Sequence, residues 1–201
     1  MSAAHARCLD SPKVPAIVVE RLADADTETV VAVLQQLLPS SHHRRFGGKS
    51  TFSTDELALL ARVGSGRVAL VARAGGDPIG LAHLAREAGT ASAEVAVVVA
   101  DTWQGLGVGT ALARGLASEA AAAGIRRVHA LIGADNAASL ALMRAATSIV
   151  ATRLEGPDVH VVGRVVESTP ENMAPCPWNV WRARPGCYAG TPLSAYFSTM
   201  K

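Results

Sequence analysis

Residues 93–124 constrain the fold of this chain more than any other stretch. Ala93 to Ala100 supply an apolar, β-branched run, with Val95, Val97, Val98 and Val99, as expected of a strand covered on both faces. Asp101-Thr102-Trp103 breaks the run. Gln104-Gly105-Leu106-Gly107-Val108-Gly109-Thr110 then turns the chain into an alanine-rich helix that ends near Ala123. Gly124 follows as the expected left-handed stop.

A strand, glycine turn and helix in this order can do chemistry. Glycine permits positive φ and lets a ligand approach the main chain closely. The first N–H groups of the helix have no partner within it, and the helix dipole favours negative charge there. The turn therefore suits a phosphate or pyrophosphate. The dinucleotide pattern G-x-G-x-x-G, begun at Gly105, would need glycine where Thr110 stands. The P-loop pattern needs a Gly-Lys-Ser/Thr that is absent here. The pattern Q-x-x-G-x-G fits, carried by Gln104, Gly107 and Gly109. A glycine-rich turn without any ligand is the plain alternative, and the order of the other elements weighs against it.

Ala16 to Leu22 form the first expected strand, centred on Ile17, Val18 and Val19. Asp24 or Asp26 caps a helix with the stripe Val30, Val33, Leu34 and Leu37, which Pro39-Ser40-Ser41 ends. His42-His43-Arg44-Arg45-Phe46-Gly47-Gly48-Lys49 reads as a basic loop, either solvated surface or a cleft wall. No Cys or Asp nearby completes a metal set with the paired histidines, so no metal is expected. Ser53 or Thr54 caps a second helix through Leu57, Leu59, Leu60 and Val63, with Asp55 and Glu56 in its first turn. Arg67 to Arg73 and Ile79 to Arg86 flank Gly75-Gly76-Asp77-Pro78 as a hairpin. Beyond the alanine-rich helix come a strand (Arg127 to Ile132), a helix (Ala137 to Ala146) and two strands (Ser148 to Leu154, Val159 to Val166). The expected class is α/β (α+β), with a mixed, mostly antiparallel sheet of about six to seven strands and about four helices.

Together the glycine motif and the element order resemble the GNAT family of N-acetyltransferases, from about Ile17 to Val166. The resemblance implies that the loop and helix hold the pyrophosphate of acetyl-CoA, through Gln104, Gly105, Leu106, Gly107, Val108, Gly109 and Thr110. It also implies a sheet splayed at the cofactor site, with main-chain groups of Val97, Val98 and Val99 on the pantetheine arm. Asn136 matches the family's cofactor-contacting asparagine; its other reading is a helix cap. Three stretches look more specifically like bacterial Pat-type protein lysine acetyltransferases: Ser41-His42-His43-Arg44-Arg45-Phe46, Asp55-Glu56-Leu57 and Ala93-Glu94-Val95-Ala96. That likeness carries the role of general base to Glu94, ten positions before Gln104. A solvent-facing strand residue is the other reading of Glu94.

Two departures stand out. Many members place a tyrosine seven residues after the asparagine as the acid for the departing thiolate, and Met143 stands there. Ala146-Thr147-Ser148 replaces the family's Gly-Phe. A thiolate of moderate pKa can leave without a dedicated acid. His83, His129 and His160 lie on strands and read as packed or surface residues, with His129 as the backup base.

Composition excludes other classes. The formal charge is +2 with scattered basic residues, so no nucleic-acid face is expected. No apolar run is long enough for a membrane span. Residues 1–15 read as a flexible leader without signal-peptide features, and 16–166 as the acetyltransferase domain. Cys8, Cys176 and Cys187 lack metal spacing and read as reduced thiols of a cytoplasmic protein. Residues 167–201 form an extension rich in proline and aromatics, including Trp178, Trp181, Tyr188, Tyr196 and Phe197. Part of it is expected to pack on the domain or on a second copy, which leaves a homodimer open. Three functions remain in view: acetyl transfer to a primary amine, foremost a protein lysine; transfer to a small-molecule amine; and a catalytically degenerate domain that binds acyl-CoA and regulates.

Overall fold

The computed structural model describes residues 15–49 and 51–166. The extension and all of the leader except Pro15 lie outside them, with the three cysteines and both tyrosines. The strands are β1 (Ile17–Arg21), β2 (Arg67–Ala74), β3 (Asp77–Arg86), β4 (Ser92–Val99), β5 (Arg127–Gly133), β6 (Thr147–Glu155) and β7 (Asp158–Val165). The helices are α1 (Thr27–Leu34), α2 (Pro39–Phe46), α3 (Thr54–Ala61), α4 (Val108–Ala122) and α5 (Ala137–Ala146), with a 3-10 turn at Asp101–Trp103. The strands form one sheet in the order β1-β2-β3-β4-β5-β7-β6. Only β4 and β5 run parallel to each other.

The apolar pattern explains the layers. Val68, Leu70 and Ala72 of β2 join one core with Leu112 and Leu116 of α4. Ala69 and Val71, on the other face, join a second core with Val30, Val33 and Leu34 of α1 and Leu60 of α3. A strand with both alternating sets apolar belongs inside a three-layer arrangement, and β2 is buried along nearly its whole length. Across the layers, Glu119 of α4 is buried and receives Arg21 of β1 in a two-pronged ion pair, at 2.8 and 2.5 Å. The fork geometry suits a guanidinium and a carboxylate.

Local signals hold where they are strong. Asp26, rather than Asp24, caps α1 by accepting from Thr29 N at 3.0 Å, and Asp24 instead accepts from Val63 N. Ser53 and Glu56 form a full capping box on α3. Gly124 takes a φ of 69° just after α4.

One expectation is corrected. Residues 39–46 form α2 rather than a terminator and a basic loop, which brings the α-helices among the described residues to five, within the expected fold class. The first helix ends at Leu34, short of the expected Leu37, and Pro39 is the first residue of the next helix, where its missing N–H costs nothing. Gly47 closes α2 in the left-handed conformation, at φ 64°. His43, Arg44 and Arg45 occupy the last turn, where positive charge favours the helix dipole.

The junction of α5 and β6 is tightly packed. Buried Thr147 donates its hydroxyl to Met143 O at 2.7 Å. A Cβ at Gly163 of β7 would lie 2.1 Å from Thr147 Oγ1 and 2.7 Å from Thr147 Cβ. Gly163→Ala is therefore expected to destabilise the fold by about 2–3 kcal/mol through overpacking. A thermal melt should show a drop of roughly 5–10 °C.

Candidate active site

The sheet opens into a fork. β4 pairs with β5 only at Ser92↔Arg127, Ala93↔Val128 and Glu94↔His129. On its other side β4 stays paired with β3 as far as Val99. From Val95 onward, β4 has no ladder partner on the β5 side. Hydrogen-bond parity shows which main-chain groups this leaves. Ala100 N donates to Ile79 O at 2.9 Å and Glu87 N to Ser92 O at 3.0 Å, so even-numbered residues bond toward β3. Ala91 O accepts from Arg126 N at 2.8 Å, so odd-numbered residues face β5. By the alternation of an antiparallel ladder, Val95, Val97 and Val99 turn their main chain into the fork. Val98 turns toward β3, and its side chain enters the core under α1 and α3.

The glycine turn closes the open end. Gly105 and Gly107 have φ of 74° and 85°, and a Cβ on either would meet nothing within 4 Å. These positions need glycine for conformation and leave free space beside the main chain. Gly107 is the N-cap of α4, and no side chain caps that end. The leading N–H groups of a 15-residue helix therefore remain available to an anion. Gly109 serves a different purpose. A Cβ there would lie 3.1 Å from Leu142 Cδ1, so its absence lets α4 approach α5. Leu106 is exposed, Val108 is buried and Thr110 is half-buried.

Gln104 ties the turn to its surroundings. Its Nε2 donates to Val99 O at 3.1 Å and to Ser41 Oγ at 3.2 Å. Ser41 in turn donates to Asp101 Oδ1 at 2.7 Å, and Asp101 Oδ2 accepts from Leu38 N at 2.7 Å. The start of α2 is thus pinned to the glycine turn. Neither Ser41 nor Asp101 was among the site residues expected from sequence, because their contacts span about sixty positions.

Glu94 is half-buried at the point where the fork closes. It shares a sheet face with Val98 and Leu81, opposite Ala85 on β3 and His129 on β5. Arg45 approaches from α2, with its Nε and Nη2 buried. Burial pushes the Arg45 guanidinium down to about 10, and the charge of Glu94 partly restores it. His83 is buried, and its Nε2 lies 2.9 Å from Leu60 O, to which it donates. Burial first, and the Arg45 charge second, push its imidazole down to about 3, so it is neutral at physiological pH. His129 Nε2 lies 3.0 Å from Glu87 Oε1, and its ring stands 5.3 Å from that of His160.

The remaining expected positions sit on α5. Asn136 caps the helix, its Oδ1 accepting from Ser139 N at 3.1 Å. Met143 is buried in the core beneath α4 and carries no proton to donate. Among the described residues no group of three or more His, Cys, Asp or Glu side chains could hold a metal ion. No helix among them is long and apolar enough to cross a membrane.

The sequence model of the acetyltransferase (GNAT) family matches residues 33–146, more than half of the chain. The chain belongs to the GNAT family. As a GNAT protein it is an acyltransferase that takes acetyl-CoA as its acyl donor and acts on amine acceptors. The fork, the two open glycines and the uncapped helix suit a thin acyl-carrying arm joined to a pyrophosphate. The fold is similar to the GNAT domain of S. lividans PAT, with a TM-score of 0.66 and 27% identity over 73% of this chain and 89% of that one. It also resembles yncA from Salmonella typhimurium, solved with its cofactor acetyl-CoA, with a TM-score of 0.58 and 21% identity over 76% and 96% of the two chains. A cAMP-binding acyltransferase from Mycobacterium smegmatis gives a TM-score of 0.53 and 24% identity, over 78% of this GNAT chain and 46% of the other. None of the curated proteins matches significantly.

Proposed function

We propose that this GNAT protein transfers the acetyl group of acetyl-CoA to a protein lysine, with Glu94 as the general base. The observation that carries the reading is a half-buried carboxylate at the closed end of the fork. An acceptor lysine arrives as an ammonium and must lose a proton before attack. Glu94 accepts that proton, directly or through one water. The neutral nitrogen adds to the thioester carbonyl. On this reading the main-chain N–H groups of Val95 and Val97, which face the fork, polarise that carbonyl. The adduct nitrogen gives up its second proton to solvent, the C–S bond breaks, the amide remains on the acceptor, and CoA leaves as its thiolate. With Met143 buried, departure relies on the moderate basicity of a thiolate.

The acyl donor sits along β4 on this reading, with its pyrophosphate on the turn from Gln104 to Thr110. The likeness to the S. lividans PAT domain supports a protein lysine over a small amine. An acceptor panel tests it. Lysine-containing proteins, a polyamine and an aminoglycoside are each incubated with the protein and acetyl-CoA, and products are weighed by mass spectrometry. We expect a gain of one acetyl group per modified lysine, at specificity constants at least about tenfold above those for either small amine. Preferential acetylation of a small amine would replace the lysine reading. Acetyl-CoA binding without transfer to any acceptor would point to a regulatory binding domain.

A further inference from the structure

We propose that Asp101 is a positioning residue that couples the glycine turn to α2. Its carboxylate holds the start of that helix and, through Ser41, the side chain of Gln104. A donor seated on the turn then firms α2, and an ordered α2 firms the turn, on the reading that the pyrophosphate of acetyl-CoA sits between Gln104 and Thr110.

The start of α2 is capped from outside the helix. Its N-cap is Leu38, which has no polar side chain, and Pro39 follows at the first helical position. Asp101 supplies what is missing from sixty-three positions away: its Oδ2 accepts from Leu38 N at 2.7 Å, and its Oδ1 accepts from Ser41 Oγ at 2.7 Å. Leu38 and Ser41 are the N-cap and the third helical residue, the two positions that a capping box joins within one helix. Here the carboxylate comes instead from the segment between β4 and α4. Its negative charge stands at a helix N-terminus, where the dipole favours it.

The same carboxylate belongs to the network of the turn. Gln104 Nε2 lies 3.4 Å from Asp101 Oδ1, 3.2 Å from Ser41 Oγ and 3.1 Å from Val99 O. Gln104 N also donates to Asp101 O at 3.2 Å, so main chain and side chain both close on Asp101. Val99 ends β4, and Gln104 stands three residues before Gly107, the N-cap of α4. One residue thus touches the strand end, the turn and the second helix.

Apolar packing cannot hold the start of α2. Its eight residues include one large apolar side chain, Phe46, at the far end, where its ring meets that of Phe52 at 4.8 Å. Near the start the buried residue is Ser41, and it is buried through polar contacts. A helix end held this way opens locally when its polar anchor loosens. The helix packs on β4, the strand that carries Glu94, so the coupling firms a wall beside the proposed base.

The test is hydrogen–deuterium exchange of the full chain, read by mass spectrometry with and without saturating acetyl-CoA, beside calorimetric Kd values. Wild type, Asp101→Ala and Ser41→Ala are compared. In wild type, acetyl-CoA should slow exchange across the turn and also across residues 38–46, there by about 5- to 10-fold. Coupling is reciprocal, so Asp101→Ala should lose the slowing in α2 and bind acetyl-CoA more weakly by about the same factor. Ser41→Ala keeps the carboxylate on Leu38 N and should lose part of both. A merely structural Asp101 would speed α2 exchange equally with and without donor and leave the Kd unmoved; that result overturns the proposal. Slowing of α2 that persists in Asp101→Ala, as direct contact with the donor would give, overturns it too. If Asp101→Ala does not fold, Ser41→Ala decides, and a wild-type Kd with wild-type slowing in it overturns the coupling. The two levels separate in wild type. A protected turn beside an unaffected α2 removes only the coupling, whereas an unprotected turn removes the placement of the pyrophosphate and the coupling with it.

Discussion

Glu94→Gln should lower kcat/KM for amine acetylation by about 10²- to 10⁴-fold near neutral pH, with acetyl-CoA bound as before. The substitution keeps the shape of the side chain and removes its ability to take a proton. Glu94 is held by β3 on one side and β5 on the other, so the strand itself has no reason to move. Residual transfer then depends on acceptor that is already neutral in solution. That fraction rises about tenfold per pH unit up to the lysine pKa near 10.4, and the variant's rate should climb with it. Thiol release under steady-state conditions measures the loss, and calorimetric titration with acetyl-CoA checks that binding survives. An unchanged rate would transfer the base role elsewhere, with His129, opposite Glu94 in the parallel register, as the first position to test.

Gly107→Val should weaken acetyl-CoA binding by about 10- to 100-fold while the fold persists. Two effects add. At φ 85° a β-branched residue is strained, at a cost of about 1–2 kcal/mol. Its side chain would also occupy the open space beside the main chain where a pyrophosphate must come close. The loss should fall on the dissociation constant for acetyl-CoA. NADH, which the turn does not suit, serves as the control ligand in the same calorimeter. A variant that binds acetyl-CoA as tightly as wild type would mean that the pyrophosphate lies elsewhere.

Much of this architecture is legible in the chain because its signals are local. The capping box of Ser53 and Glu56 shares one helical turn. The apolar runs of β2, β3 and β4 and the glycines between elements gave every strand to within two residues. The helix α2 was missed for a physical reason. Eight residues containing two histidines, two arginines and two serines have no apolar stripe, and that helix depends on its ends. Pro39 at its first position, Gly47 after its last and the basic final turn were readable as such signals, but a proline also reads as a terminator. The Ser41, Asp101 and Gln104 tie and the effect of the Glu94 charge on Arg45 are long-range. Residues so far apart meet only once the sheet is assembled, and neither spacing nor periodicity encodes the meeting. The role of Gly109 shows a related limit, since its motif position looks like its neighbours' while its actual constraint is the side chain of Leu142.

The point at which β4 and β5 part company also acts as a ruler. Between the closed end at Glu94 and the last residue of β4 at Val99 run five strand steps, roughly 16 Å at about 3.3 Å per residue. A slender guest anchored at the glycine turn can slide inward only until the strands meet, so the depth of the opening sets where its tip comes to rest. One more paired residue on each strand would shorten that reach by about 3.3 Å, more than the length of any covalent bond being made or broken. On the function proposed above, the three paired positions would set how long a carrier arm fits with its reactive carbon level with Glu94.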